Sequence, residues 1–215
     1  MNKKLVLAFA VLALSALACG FDFNTGGADE DSNVLFQDDF SSTSSGWDRS
    51  TFEAGSTDYE NGSYRITVLE ESYSVWANPG REYDDVHVEV DATKSGGPDD
   101  NEFGIICRYQ DAENFYVGVL TSDGYYGFWK RVSGAELELI GMEFLETSEE
   151  INLGDVSNHL RLDCIGDTLS LYANGTLVGE VQDSTLASGD VGLYAGTFEQ
   201  SGADILFDNF VVYRP

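Results

Sequence analysis

Apolar and polar residues alternate in short runs along most of the chain, the period-two signature of strands buried on one face. The stretch Glu102 to Leu120, EFGIICRYQDAENFYVGVL, predicts two strands about a polar corner. Phe103, Ile105, Cys107 and Tyr109 fall on one face of the first strand, and Phe115, Val117 and Val119 on one face of the second, with Gln110 to Asn114 as the turn. About fifty residues on, HLRLDCIGDTLSLYANGTL predicts a second hairpin, with Leu160, Leu162 and Cys164 on one face and Asn174-Gly175 as its tight turn.

The rest of the chain continues the pattern. VLFQDDF begins near Val34 and ends in a small-residue loop, Ser41 to Gly46. Tyr64, Ile66 and Val68 alternate after the Asn61-Gly62 turn, with Tyr73 to Ala77 as the expected partner strand. Val86, Val88 and Val90 alternate with His87, Glu89 and Asp91, and the loop KSGGPDD leads to the central hairpin. Tyr125 to Val132 and Leu137 to Ile140 follow, then a mostly acidic connection from Glu143 to Ser157. The last strand, Ile205 to Tyr213, sets Ile205, Phe207, Val211 and Tyr213 on one face. About a dozen strands and no amphipathic helix predict an all-β, two-sheet antiparallel sandwich. Residues 34–215 suffice for one such domain.

The start of the chain is different in kind. Asn2-Lys3-Lys4 precedes LVLAFAVLALSALA and Cys19, a basic start followed by an apolar run too short to be a comfortable span. Residues 1–18 resemble a bacterial lipoprotein signal peptide, which implies lipidation of Cys19 and attachment to the outer side of the cytoplasmic membrane. Ala16 stands where that motif usually has Leu, and cleavage by an ordinary signal peptidase, leaving Cys19 as a free thiol, is the alternative. Residues 19–33 are polar, acidic and glycine-bearing, the composition of a flexible tether.

Composition narrows the partners. The formal charge is −27, with 11 Lys and Arg against 38 Asp and Glu, and becomes −29 once Lys3 and Lys4 are removed. A phosphate backbone would be repelled across nearly the whole surface, so no nucleic-acid partner is expected. In an exported chain, two cysteines at matching places in two strands point to a Cys107–Cys164 disulfide. The competing pairing of Cys107 with His159 as a nucleophile and base lacks any supporting motif.

The opening DDF, FGIICRYQDAENFY, LRLDCIGDTLSLYANG, SGDVGLYAG and the closing FDNFVVY together resemble the concanavalin A-like lectin and glucanase sandwich. The likeness is strongest to its laminin-G-like and 3-keto-disaccharide-hydrolase-type modules, and it covers nearly all of residues 34–215. It implies a jelly-roll fold and a carbohydrate ligand. The glucanases of this fold place acidic residues at alternate strand positions. Glu89 and Asp91 match two of these, but Ala92, Thr93 and Lys94 follow where a further Glu is needed. No catalytic residue is therefore assigned.

Two candidate sites remain. Calcium is the candidate cofactor, with Asp38, Asp39 and Asp208 as its expected ligands and Asp99 to Glu102 and Asn209 as further oxygen donors. Tyr125 and Trp129 share one side of a strand and Tyr126 and Phe128 the other; with Trp76, Tyr116 and Tyr73 nearby, the outer pair predicts a platform for a sugar ring. The expectation is a surface-anchored, non-catalytic module for neutral carbohydrate. A glycoside-processing enzyme with an atypical acidic pair, or a structural or protein-binding envelope lipoprotein, is the alternative.

Overall fold

A computed structural model describes residues 33–215; the proposed signal peptide, Cys19 and all of the tether before Asn33 lie outside the described residues. The described chain forms 17 strands. The first seven are β1 (Val34–Asp38), β2 (Ser50–Phe52), β3 (Gly55–Glu60), β4 (Ser63–Val68), β5 (Ser74–Ala77), β6 (Glu82–Tyr83) and β7 (Val86–Gly96). The central part holds β8 (Asn101–Asp111), β9 (Asn114–Leu120), β10 (Tyr125–Arg131), β11 (Glu138–Leu139) and β12 (Glu146–Thr147). The last five are β13 (Asn158–Ile165), β14 (Thr168–Ala173), β15 (Thr176–Gln182), β16 (Gly189–Thr197) and β17 (Ala203–Tyr213).

They build two antiparallel sheets. The nine-stranded sheet runs β15-β14-β13-β7-β17-β4-β3-β2, with β1 also on β17. The eight-stranded sheet runs β11-β10-β9-β8-β16-β5, with β12 beside β10 and β6 beside β16. Ile66, Val88, Val90, Leu160, Leu162, Ile205 and Phe207 from the first sheet meet Phe103, Ile105, Tyr116, Leu120, Phe128 and Leu193 from the second. None of these is more than 1% exposed. Burying so many large side chains between two sheets is what holds the sandwich together.

The expected disulfide forms, with Cys107 on β8 and Cys164 on β13. These strands lie in opposite sheets, so the bond crosses the core instead of joining lateral neighbours.

Several local expectations are corrected. Asn174 (φ 52°) and Gly175 (φ 87°) do make a tight turn, but between β14 and β15, while Gly166-Asp167 joins β13 to β14. β5 does not pair with β4: it lies on β16 in the other sheet, because β4 already has β3 and β17 as neighbours. The central turn is tighter than predicted, spanning only residues 112–113.

Bulges reverse two faces. Arg108 adopts φ 53°, the β8–β9 register shifts after Cys107, and Tyr109 turns away from the face of Phe103, Ile105 and Cys107. Gly189 makes room for this bulge, since a Cβ there would lie 2.5 Å from the Tyr109 carbonyl oxygen. The Arg108 side chain is 2% exposed, and its guanidinium donates to the carbonyls of Leu186 (2.8 Å) and Gly166 (2.5 Å). Asn209 (φ 54°) does the same in β17, so Phe210 and Val212 are buried in place of Val211 and Tyr213.

Reducing the disulfide should destabilise the domain. It closes a loop of sequence separation 57, so its removal should cost about 4 kcal/mol. Urea unfolding of the Cys107→Ser/Cys164→Ser double variant should show this loss; a midpoint equal to that of the oxidised protein would contradict it.

Candidate functional site

The outer face of the eight-stranded sheet is apolar too. Phe115, Val117 and Val119 of β9 point outward, next to Ile106 of β8 and Tyr194 of β16, and all five are at most 1% exposed. A second layer of Trp76, Tyr109, Trp129 and Leu137 covers them. The Trp76 and Tyr109 rings sit 5.4 Å and 5.9 Å from the Phe115 ring. Sequence alternation placed Phe115, Val117 and Val119 together correctly, but on the outer face.

A carboxylic acid lies under this layer. Glu102 on β8 is 4% exposed, and Tyr194 hydrogen-bonds it. Ser74 Oγ lies 2.6 Å from the Tyr194 hydroxyl on its other side. Burial pushes the Glu102 carboxyl up to about 7, against smaller opposing effects from Tyr194 and Trp129. The Trp129 Nε1 is itself buried and has no hydrogen-bond partner of normal geometry. Gly196 leaves space for the pair, because a Cβ there would lie 3.2 Å from both Glu102 Oε2 and the Tyr194 hydroxyl. At the sequence level Glu102 stood only among the further oxygen donors for calcium; its burial beside Tyr194 comes from its outward parity on β8.

Tyr125 and Trp129 do share the outer side of β10, with Tyr126 and Phe128 buried in the core. They do not make one platform. Gly127 lies between them, and the side chains of Leu145 and Leu139 fill the space above it, so a Cβ at 127 would lie 2.3 Å from Leu145 Cδ2. Trp129 is half-buried over Val117, its partner in register, whereas Tyr125 is 39% exposed. Trp76 is half-buried in the same outer layer. Tyr116 is not a surface residue: its side chain lies between the sheets, its hydroxyl donating to Asp183 Oδ1 (2.6 Å) and accepting from Leu186 N–H (3.0 Å).

An open pocket of about 350 Å³ lies beside Tyr125, lined by Asp100, Thr121, Asp123, Tyr125, Phe144, Leu145 and Phe198. β12 builds one wall by pairing Thr147 with Tyr125, which brings Phe144 and Leu145 alongside. Ser148 N–H to the Gly124 carbonyl (3.0 Å) and Gly154 N–H to the Ser122 carbonyl (2.8 Å) hold the acidic connection there. Next to the lining residues Asp100, Thr121 and Asp123, the Asn101 side chain hydrogen-bonds Ser122 (3.1 Å) and clamps the start of β8 to the β9–β10 turn. Phe144 is 74% exposed. It went unassigned at the sequence level because it stands alone in an aperiodic acidic segment.

Of the proposed calcium ligands, Asp38 and Asp39 line one open pocket with Gln37, Asn209, Phe210 and Val211, and Asp208 precedes Asn209 in the chain. Asp38 accepts from Phe40 N–H (2.8 Å), Asp39 from Ser41 N–H (3.1 Å) and Asp208 from Asn209 N–H (2.7 Å), each closing its own turn. Asp38 pairs with Phe210, so DDF and DNF lie side by side as the first and last strands. Among the described residues, no three His, Cys, Asp or Glu side chains are placed to hold a metal ion. Glu89 and Asp91 both face His159, at 3.6 Å and 2.8 Å, on the outer side of the nine-stranded sheet, and Cys107 is consumed by the disulfide.

The fold is thus an all-β sandwich of two antiparallel sheets, and its neighbours among solved structures are sandwiches too. Among solved structures, the chain is similar to the carbohydrate-binding module CBM66 from Bacillus subtilis, with a TM-score of 0.63, 20% identity, and 79% of this chain and 96% of that one covered. It is also similar to a Bacillus subtilis protein of unknown function with a galectin-like fold, with a TM-score of 0.61, 12% identity and coverages of 84% and 96%. A structure described as a native glycosidic hydrolase matches with a TM-score of 0.60 and 13% identity over 85% and 96% of the two chains. No family model and no curated protein sequence matches the chain. At these identities the likeness concerns the fold.

Glu102 should make stability depend on pH in a defined direction. Its native pKa lies above its unfolded value of 4.5, so the native state holds the proton more tightly. The contribution is greatest below pH 4.5 and is lost as pH rises to about 7, by an amount on the order of 3 kcal/mol. Denaturant unfolding across that range should therefore show Glu102→Gln gaining on the wild type as pH increases; parallel curves would contradict the assignment.

Proposed function

We propose that this protein is a non-catalytic carbohydrate-binding module, held outside the cytoplasmic membrane by lipid on Cys19. The site is the pocket at the Tyr125 end of the outer face of the eight-stranded sheet. The observation that carries this reading is the exposed pair Tyr125 and Phe144 beside Phe198, around an open pocket with carboxylates at its edge. Sugar rings stack their C–H faces on such aromatics and hydrogen-bond carboxylates through their hydroxyls. The similarity to a carbohydrate-binding module supports the ligand class. A formal charge of −27 disfavours uronic acids and sulfated sugars.

A second reading, an enzyme acting on glycosides, is favoured by one observation: Glu102 has a pKa near neutrality, as a general acid needs. Its 4% exposure and its bond to Tyr194 keep it from a ligand in the pocket, which supports binding over catalysis. Hydrolysis of labelled polysaccharide, abolished in Glu102→Gln, would instead establish the enzyme.

Replacing both Tyr125 and Phe144 by Ala should remove about 2 kcal/mol of stacking, roughly a thirtyfold loss of affinity in a glycan-retention assay, with little change in melting temperature. Trp129→Ala should instead cost about 3 kcal/mol of stability, since it uncovers Val117 and its neighbours. Retention lost in Trp129→Ala but kept in the double variant would place the site elsewhere.

A further inference from the structure

The Tyr125 pocket gathers negative charge that the fold does not neutralise. Asp100 precedes β8 and Asp123 lies in the β9–β10 turn, and the Asn101–Ser122 clamp holds the two segments together. Glu199 follows Phe198, which lines the pocket. Partial burial raises the Asp100 carboxyl first, and the nearby charges of Asp123 and then Glu199 raise it further. Thr121 donates its hydroxyl to Asp123. Among the described residues, no Lys, Arg or His forms an ion pair with Asp100, Asp123 or Glu199. The nearby Lys94 is engaged by Asp99 and by Asp155.

Carboxylates alone on an acidic protein make only a solvated face. The rings change this. Tyr125, Phe144 and Phe198 line the same pocket as Asp100 and Asp123, and an aromatic face attracts a cation through its quadrupole. A bare metal ion is a poor fit, because rings in place of oxygen donors form much of the wall. An organic ammonium satisfies both halves: its charge offsets the carboxylates while its carbon skeleton lies against the rings.

We propose that the sugar bound between Tyr125, Phe144 and Phe198 carries a free, protonated amino group, so that the ligand class is a cationic amino sugar; this rests on the reading of the pocket as the carbohydrate site. The acidic surface as a whole would concentrate such a ligand, and added salt would weaken binding.

The test compares two probes of equal length, the glucosamine trimer and the N-acetylglucosamine trimer, by calorimetry at mildly acidic pH with the soluble domain. The free-amine trimer should bind at least fivefold more tightly, and Asp100→Asn/Asp123→Asn should remove that preference. Tyr125→Ala/Phe144→Ala should weaken both trimers. Equal binding of the two trimers, lost on removal of the rings, would overturn the cationic assignment while leaving the carbohydrate site standing. Binding that ignores the ring variant, or no binding of either trimer, would overturn both. A lysine-rich peptide binding as tightly as the glucosamine trimer would reduce the effect to non-specific attraction and overturn the proposal.

Discussion

The outer surface of the eight-stranded sheet follows from one constraint, the burial of β9 on both faces. Tyr116 and Leu120 point to the inter-sheet core while Phe115, Val117 and Val119 point away from it. A two-layer sandwich covers only one face of each sheet, so the second apolar face needs a cover of its own. Trp76, Tyr109, Trp129 and Leu137 supply it, and the connection carrying Leu139 and Leu145 extends it over Gly127. The cover ends at Tyr125. The large side chains beyond it, Phe144 above all, are left exposed.

The same constraint explains Glu102. Its outward parity on β8 places it under the aromatic layer, where a carboxylate has no water, and the Tyr194 hydroxyl backed by Ser74 is what the site offers in exchange. Asp100, two residues earlier, lies beyond the edge of the cover and stays partly exposed in the pocket. Two acids on one strand approach thus have different roles because the covering layer stops between them.

Much of this was legible in the sequence, and the failures have a common cause. Alternation located the central hairpin strands and placed Tyr126 and Phe128 opposite Tyr125 and Trp129, and the Asn-Gly pairs marked real turns. Period-two reasoning, however, assigns faces only up to the first bulge, and Arg108 and Asn209, both with positive φ, reverse the faces beyond them. It also cannot say which face is the core when both are apolar, so Tyr116 was expected at the surface and lies inside. Phe144 and Leu145 were silent because their position comes from β12 pairing with β10 and not from any periodicity of their own.

Strand direction settles how the pocket lies relative to the start of the domain. Val34 pairs with Tyr213 at the end of β17, whereas the pocket gathers the start of β8 and the ends of β9 and β16, near where β17 begins at Ala203. β17 runs 11 residues from Ala203 to Tyr213, so the two ends of the sheet are about 33 Å apart. The described chain therefore begins at the end of the sandwich opposite the pocket.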